Sequence, residues 1–237
     1  MIRLLVDRLP DEPPAAVELS EEEAHHARVR RIGDDEEVEL IDGRGRIGTG
    51  RVTLGKREGQ VVVESVVRVP PSPAIVLLVG SGDRERFTWL VEKATELGVT
   101  EIVPLETERA VQVSTRLRPD HVLKLERRAL EALKQCGGAW APRIASPRSL
   151  ATALGALAVP VRWLADYAGE GSPSPAAPAG IAIAVGPEGG FTADERSLLI
   201  ERRFIPVRLT ALTLRFETAA IAAVSLVAHH RARGVHD

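Results

Sequence analysis

The hydrophobic pattern of this chain changes character at Val69-Pro70-Pro71-Ser72-Pro73, and that change constrains the fold more than any other feature. Proline fixes φ and removes a backbone donor, so this stretch is a stiff connection rather than a helix or a central strand. Before it, Val38-Glu39-Leu40-Ile41-Asp42 alternates at period two and runs into the turn Gly43-Arg44-Gly45. Arg46–Leu54 continues as a strand interrupted by Gly48 and Gly50, and Gln60–Val69 follows as another apolar run after a turn at Gly55–Gly59. Met1–Asp7 reads as a first strand, and short strands with glycine turns suggest a compact barrel. One helix is expected over Glu21–Arg31, with Ser20 as its cap and Glu23 as the capping-box partner.

Beyond the prolines, strands and helices alternate, the signature of an α/β domain with a mostly parallel sheet. Ala74–Val79 is a buried strand ending at Gly80-Ser81-Gly82, and Phe87–Leu97 a helix stopped by Gly98. Glu101–Leu105 is the next strand and Pro119–Cys136 a long amphipathic helix. Val161–Ala165, Ile181–Val185 and Ile205–Leu209 complete the strands, with a flexible surface loop expected over Gly169–Gly180 and a final helix over Glu217–Arg231. The expected division is 1–69 and 74–237.

Composition narrows the class. The 237 residues are 44% hydrophobic and 27% charged, as in a folded soluble protein. No stretch reaches the roughly 18 apolar residues of a membrane span. The first residues lack the apolar core and cleavage site of a signal peptide, so a cytoplasmic location is expected. Cys136 is the only cysteine, which excludes an intrachain disulfide and a Cys-rich zinc site; a small packed thiol is the expected role. His25 and His26 lack partners at metal-ligand spacing, and no metal is expected. A net charge of −2 gives no global argument for nucleic acid, so an RNA surface would have to come from local clusters of arginine. The chain has no Asn, and its Gln is confined to positions 60, 112 and 135; heat adaptation and a GC-rich genome both produce such a bias.

Two C-terminal segments carry the chemistry. In the first, the apolar strand Ile181–Val185 delivers Gly186-Pro187-Glu188-Gly189-Gly190, and a helix opens near Thr192 with Glu195 three residues on. Closely spaced glycines let backbone approach a ligand, and loops at the carboxyl ends of parallel strands are where α/β sheets bind one. The spacing is neither a Walker loop nor a Gly-x-Gly-x-x-Gly pattern, which disfavours nucleoside triphosphates and NAD; an ordinary strand-to-helix turn is the other reading. The second segment is Leu209-Thr210-Ala211-Leu212-Thr213-Leu214-Arg215-Phe216-Glu217-Thr218. Its loop offers amides and carbonyls to an adenine edge between leucine walls. Alternatively, Arg215 and Glu217 merely solvate a helix start.

These two segments occur in order with Glu92-Lys93-Ala94-Thr95-Glu96-Leu97-Gly98-Val99, Glu108-Arg109-Ala110 and Gln135. With His25–Asp34 as a His-x-x-x-Val-x-Arg segment, the chain resembles the bacterial 16S ribosomal RNA (uracil-N3) methyltransferases of the knotted SPOUT superfamily. The resemblance covers nearly the whole chain. It implies a PUA-like N-terminal barrel, a C-terminal α/β domain tied in a trefoil knot, a homodimer, and S-adenosylmethionine bound in the knot. The implied substrate is 16S ribosomal RNA or the small ribosomal subunit. Carried over residue by residue, the implied cofactor site is Leu164, Gly186, Pro187, Glu188, Gly189, Gly190, Leu209, Thr210, Leu212, Leu214, Arg215 and Thr218.

Departures from the family pattern fall at Thr210 for a glycine, Leu212 for an arginine and Phe216 for a threonine, while Cys136-Gly137-Gly138-Ala139 replaces a Ser-x-Arg stretch. Uracil N3 carries a proton, so the enzyme must favour the anion. Arg215 is the candidate to stabilise it, and Glu188 to hold the cofactor or orient the base. For RNA docking the candidates are Arg28, Arg30, Arg31, Arg44 and Arg46, offset by the acidic runs at Glu21–Glu23 and Asp34–Glu37. The rival readings are a SPOUT enzyme acting on a ribose 2′-oxygen or another base, and a non-catalytic ribosome-assembly factor.

Overall fold

A computed structural model describes residues 1–110, 117, 119–171 and 180–233. They divide into two compact units, Met1–Pro71 with Leu130–Ala141, and Ser72–Ala129 with Pro142–Asp237.

In the first unit, β1 (Ile2–Leu5), β2 (Ala15–Glu18), β3 (Glu37–Ile41), β4 (Arg46–Leu54) and β5 (Gly59–Arg68) form one sheet in the order β1-β3-β4-β5-β2. Only the β1–β3 pair is parallel. Period-two alternation sends Val38 and Leu40, with Val52, Val61 and Val63, into a core closed by Leu4, Leu9 and Ala24. Helix α1 (Glu21–Val29) is capped as expected, Ser20 Oγ accepting from Glu23 N–H at 3.2 Å. The expected capping box is replaced by a long-range arrangement. The Glu23 carboxylate turns inward, where Oε2 accepts from Leu5 N–H at 3.1 Å and Oε1 pairs with Lys134 Nζ at 2.7 Å. Both side chains of that pair are nearly sealed, at 9% and 5% exposure, so removing either partner would strand a buried charge.

The second unit contains β6 (Ile75–Gly80), α2 (Arg84–Glu96), β7 (Glu101–Glu106), most of α3 (Pro119–Cys136), β8 (Arg143–Ile144), β9 (Arg148–Ser149) and α4 (Leu150–Gly155). It continues with β10 (Val161–Glu170), β11 (Ile181–Val185), α5 (Ala193–Glu201), β12 (Ile205–Val207) and α6 (Phe216–Arg233). Its parallel sheet runs β12-β10-β11-β6-β7-β8, with β9 also on β7. Every residue of β6 and β11 is buried, because helices cover both faces. On one face Leu77, Val79 and Ile183 pack with Phe87 and Leu90 of α2 and with Ala220 and Val224 of α6. On the other, Val76, Leu78 and Ala184 pack with Leu150 and Leu154 of α4 and Leu199 of α5.

Several boundaries differ from the sequence reading. Strand β10 runs on to Glu170, taking in Gly169, which was expected to open a loop. A side chain at Gly169 would stand 2.7 Å from the backbone of Pro206 and Val207, so glycine permits the neighbouring strand's approach. The remainder of that expected loop, 172–179, lies outside the described residues. Strand β12 ends at Val207, which frees Arg208 and Leu209 from the sheet. Cys136 is exposed rather than packed, its Sγ directed at Leu133 O on the last turn of α3. The short elements β2, β8, β9 and α4 carry too little periodicity to be read from sequence.

Candidate ligand cleft at three strand ends

Strands β10, β11 and β12 lie side by side and parallel, so their carboxyl-end connections converge. They enclose a cleft of about 500 Å³, within the usual size of small-molecule sites. Leu164, Val185, Leu209 and Leu214 supply apolar walls, and Gly186, Pro187, Glu188 and Gly190 line a third side. Thr210, Leu212 and Arg215 complete it at the β12–α6 connection. The cleft thus brings together all but two of the expected cofactor residues. Gly189 turns its carbonyl to Arg109 Nη1, and Thr218 is exposed on the first turn of α6; neither lines the cleft.

Nonlocal packing sets the shape of Gly186–Gly190. A Cβ on Gly80, the last residue of β6, would lie 2.4 Å from both N and Cδ of Pro187. On Gly82 it would lie 2.7 Å from Glu188 Oε2 and 2.8 Å from the Phe216 ring. The loop therefore rests on a floor that only glycine provides. The Glu188 carboxylate is engaged there as well, Oε1 accepting from Asp83 N–H at 3.2 Å. Asp83 caps α2 through Oδ1, which accepts from Glu85 and Arg86 N–H at 3.0 Å, so two carboxylates sit at one helix N-terminus. At the far end of the loop Thr192 and Glu195 form the expected capping box.

Arg215 is exposed at the cleft rim and has no ion-pair partner among the described residues. Glu217 behaves differently: it is 7% exposed and stands 3.9 Å from Arg86 Nε, so it does not solvate the helix start. Asp166, Phe191 and Arg196 also line the cleft and were missed. Asp166 Oδ2 accepts from Arg196 Nε at 2.5 Å, joining β10 to α5. No short-range spacing signals a pair thirty residues apart.

The expected RNA-docking arginines divide. Arg30, Arg31 and Arg44 are exposed. Arg28 donates to Gly55 O at 3.0 Å. Arg46 is committed internally, to Leu9 O at 3.0 Å and Asp11 Oδ1 at 2.6 Å. The hydrogen bond from Arg46, with help from Arg8, holds the Asp11 carboxyl below the usual carboxylate range. Among the described residues no cluster of potential metal ligands occurs, and no helix is long and apolar enough to cross a membrane.

A sheet whose carboxyl-end loops form a glycine-floored, leucine-walled cleft defines an α/β ligand-binding domain. Comparison with known proteins gives its family. A family described as RNA methyltransferase domain matches residues 70–228, and one described as RNA methyltransferase PUA domain matches 19–64. The ribosomal RNA small subunit methyltransferase E of Aquifex aeolicus is 32% identical over 213 residues, covering 88% of this chain and 92% of that protein. The protein of the same name from Mycobacterium tuberculosis is 32% identical over 235 residues, covering 94% and 89%. A methyltransferase from Legionella pneumophila, solved with bound S-adenosylmethionine, superposes with a TM-score of 0.84 at 27% identity, covering 95% of this chain and 96% of that one. The chain belongs to the ribosomal RNA small subunit methyltransferase E family, with a PUA domain followed by a SPOUT-type methyltransferase domain.

Proposed function

We propose that this chain transfers a methyl group from S-adenosylmethionine to N3 of a uridine in 16S ribosomal RNA, acting in the cytoplasm as a homodimer. The observation that carries the reading is the cleft itself: a backbone wall on a glycine floor, apolar sides, and an exposed arginine at the rim. S-adenosylmethionine supplies a methyl group on a sulfonium that departs as a neutral thioether. Leu164, Val185, Leu209 and Leu214 suit the apolar faces of an adenosyl group. The peptide groups of Gly186–Gly190 and Leu209–Leu214 suit its polar edges, a role the family departures at Thr210 and Leu212 leave intact because backbone geometry carries it.

The residues of the chain then have three tasks. The cleft orients the methyl donor, and orientation alone removes much of the barrier to a bimolecular transfer. The acceptor nitrogen must lose its proton. Arg215, held near O2 or O4 of the base, stabilises the charge that develops there. Glu188 contributes by fixing its loop through Asp83 N–H rather than by touching the acceptor. The target base must be unpaired or drawn out of its stack to reach the cleft. The first unit docks the RNA, with exposed Arg30, Arg31 and Arg44 meeting phosphates and Arg28 and Arg46 bracing that surface through Gly55 O and Leu9 O. Tyr167 and Leu212, at 65% and 74% exposure beside the cleft, support the homodimer, since a second copy would cover them.

Mass mapping of 16S RNA from a strain lacking the gene tests the assignment. One N3-methyluridine is expected to disappear and to return on complementation. Its retention, or loss of a ribose 2′-O-methyl group instead, would overturn the reading.

A further inference from the structure

Glu108-Arg109-Ala110 carries part of the family resemblance, yet nothing in the proposed chemistry uses it. The segment follows β7 in a turn where Ala110 N–H donates to Thr107 O at 3.1 Å. Two hydrogen bonds leave that turn, one for the β11–α5 connection and one for the first turn of α5. Arg109 Nη1 donates to the carbonyl of Gly189. Glu108 N–H donates to Glu195 Oε1 at 2.9 Å, while Glu195 Oε2 accepts from Thr192 N–H at 2.9 Å. One carboxylate thus caps α5 and ties down the neighbouring turn. The Arg109 stem also covers Gly189, where a Cβ would stand 3.3 Å from its Cβ and Cδ.

From this geometry we infer that Arg109 is a positioning residue for S-adenosylmethionine. Gly189 is the one member of Gly186–Gly190 that does not line the cleft, and its carbonyl is the group Arg109 holds. Glycine has no side chain with which to restrain itself, and a free glycine loop loses much conformational entropy when it closes on a ligand. A charge-assisted bond from outside the loop settles the Gly189 peptide beforehand and so lowers that cost. The bond to this carbonyl uses one guanidinium donor and leaves the others for solvent or a phosphate, so cofactor affinity and RNA affinity have to be read separately. The inference rests on the cofactor proposed above and is independent of the RNA target.

Titration calorimetry of S-adenosylmethionine into the full chain, with no RNA present, tests it. In Arg109→Ala and in Arg109→Met, which keeps the stem and loses the donor, Kd is expected to rise about tenfold, with kcat at saturating cofactor within about threefold of the parent. Arg109→Lys retains a point donor and is expected to return Kd to within about threefold. Parent-like affinity in Arg109→Met, or Arg109→Lys as weak as the alanine variant, overturns the inference. Parent-like cofactor affinity with a raised KM for RNA alone would make Arg109 an RNA contact instead. An error in the rRNA assignment would leave every one of these titrations unchanged.

Discussion

The two loops that face each other across the cleft are held in different ways. Gly186–Gly190 is pinned from several directions: Pro187 lies on Gly80, Glu188 on Gly82, Arg109 holds Gly189, and the Thr192–Glu195 capping box closes the far end. Leu209–Arg215 has lighter ties, Leu212 N–H to Thr210 Oγ1 at 3.3 Å and Ala219 N–H to Arg215 O at 2.9 Å. It also leaves Ala211, Leu212, Thr213 and Arg215 exposed. Full burial of a leucine side chain is worth about 1.5–3 kcal/mol, so Leu212 holds back stabilisation that is realised only when something covers it. One wall is held at several points and the other at few, so substitutions in the two are expected to be felt differently.

That contrast can be broken in measurable ways. The largest effect is expected from Arg215→Ala on the lightly tied loop. Single-turnover kinetics should show kcat lowered about 10²-fold, with cofactor Kd within about threefold. A change in Kd larger than that in kcat would turn Arg215 into a cofactor anchor. Next comes Gly80→Ala beneath the wall held at several points. Its Cβ meets Pro187 at 2.4 Å, where the ring and backbone cannot yield. Overpacking of this kind costs about 1–3 kcal/mol, so both the melting temperature and cofactor affinity should fall together. An unchanged melt would mean the loop does not rest on that floor.

Leu212→Ser should do much less, moving stability by no more than about 0.5 kcal/mol because the side chain is exposed. Its signature is a roughly threefold weaker cofactor Kd, and full affinity would deny Leu212 a part in covering the ligand.

The smallest effect comes from α2, outside both loops. Hydrogen bonding from Lys93, and secondarily from Arg128, holds the Glu92 carboxyl below its ordinary value of 4.5. A depressed folded value stabilises the protein above the ordinary one and is lost as pH falls through the lowered value. Glu92→Gln should therefore flatten the acid limb of a stability–pH curve while leaving cofactor affinity at neutral pH unchanged. A parallel acid limb in wild type and variant would remove Glu92 from that titration.

How much of this was legible in advance depended on range. The Thr192–Glu195 box was readable because both partners lie within one helical turn. Ser20 was readable for the same reason, but Glu23 was not, since it is drawn to Lys134, a partner 111 residues away. The glycines at 80 and 82 suggested only a turn. Their purpose as a floor under Pro187 and Glu188 depends on β6 lying next to β11. The same holds for Glu217, for which a solvated helix start stood as one of two readings until α2 supplied Arg86 beside it. Cys136 failed in the opposite direction: lone cysteines are usually packed, but this one sits on the outward side of a helix's last turn.

The alternation of strands and helices, the caps, and the two glycine- and leucine-rich segments on which the site is built were all written in the order of residues, with family likeness supplying their chemistry. These rest on interactions within about four residues, where spacing along the chain is spacing in space. The shape of the cleft between the three loops, the junction of Asp166 with Arg196 and the reach of Arg109 to Gly189 came from the folded chain alone. Strand order sets those meetings, and periodicity carries no record of which strand lies beside which.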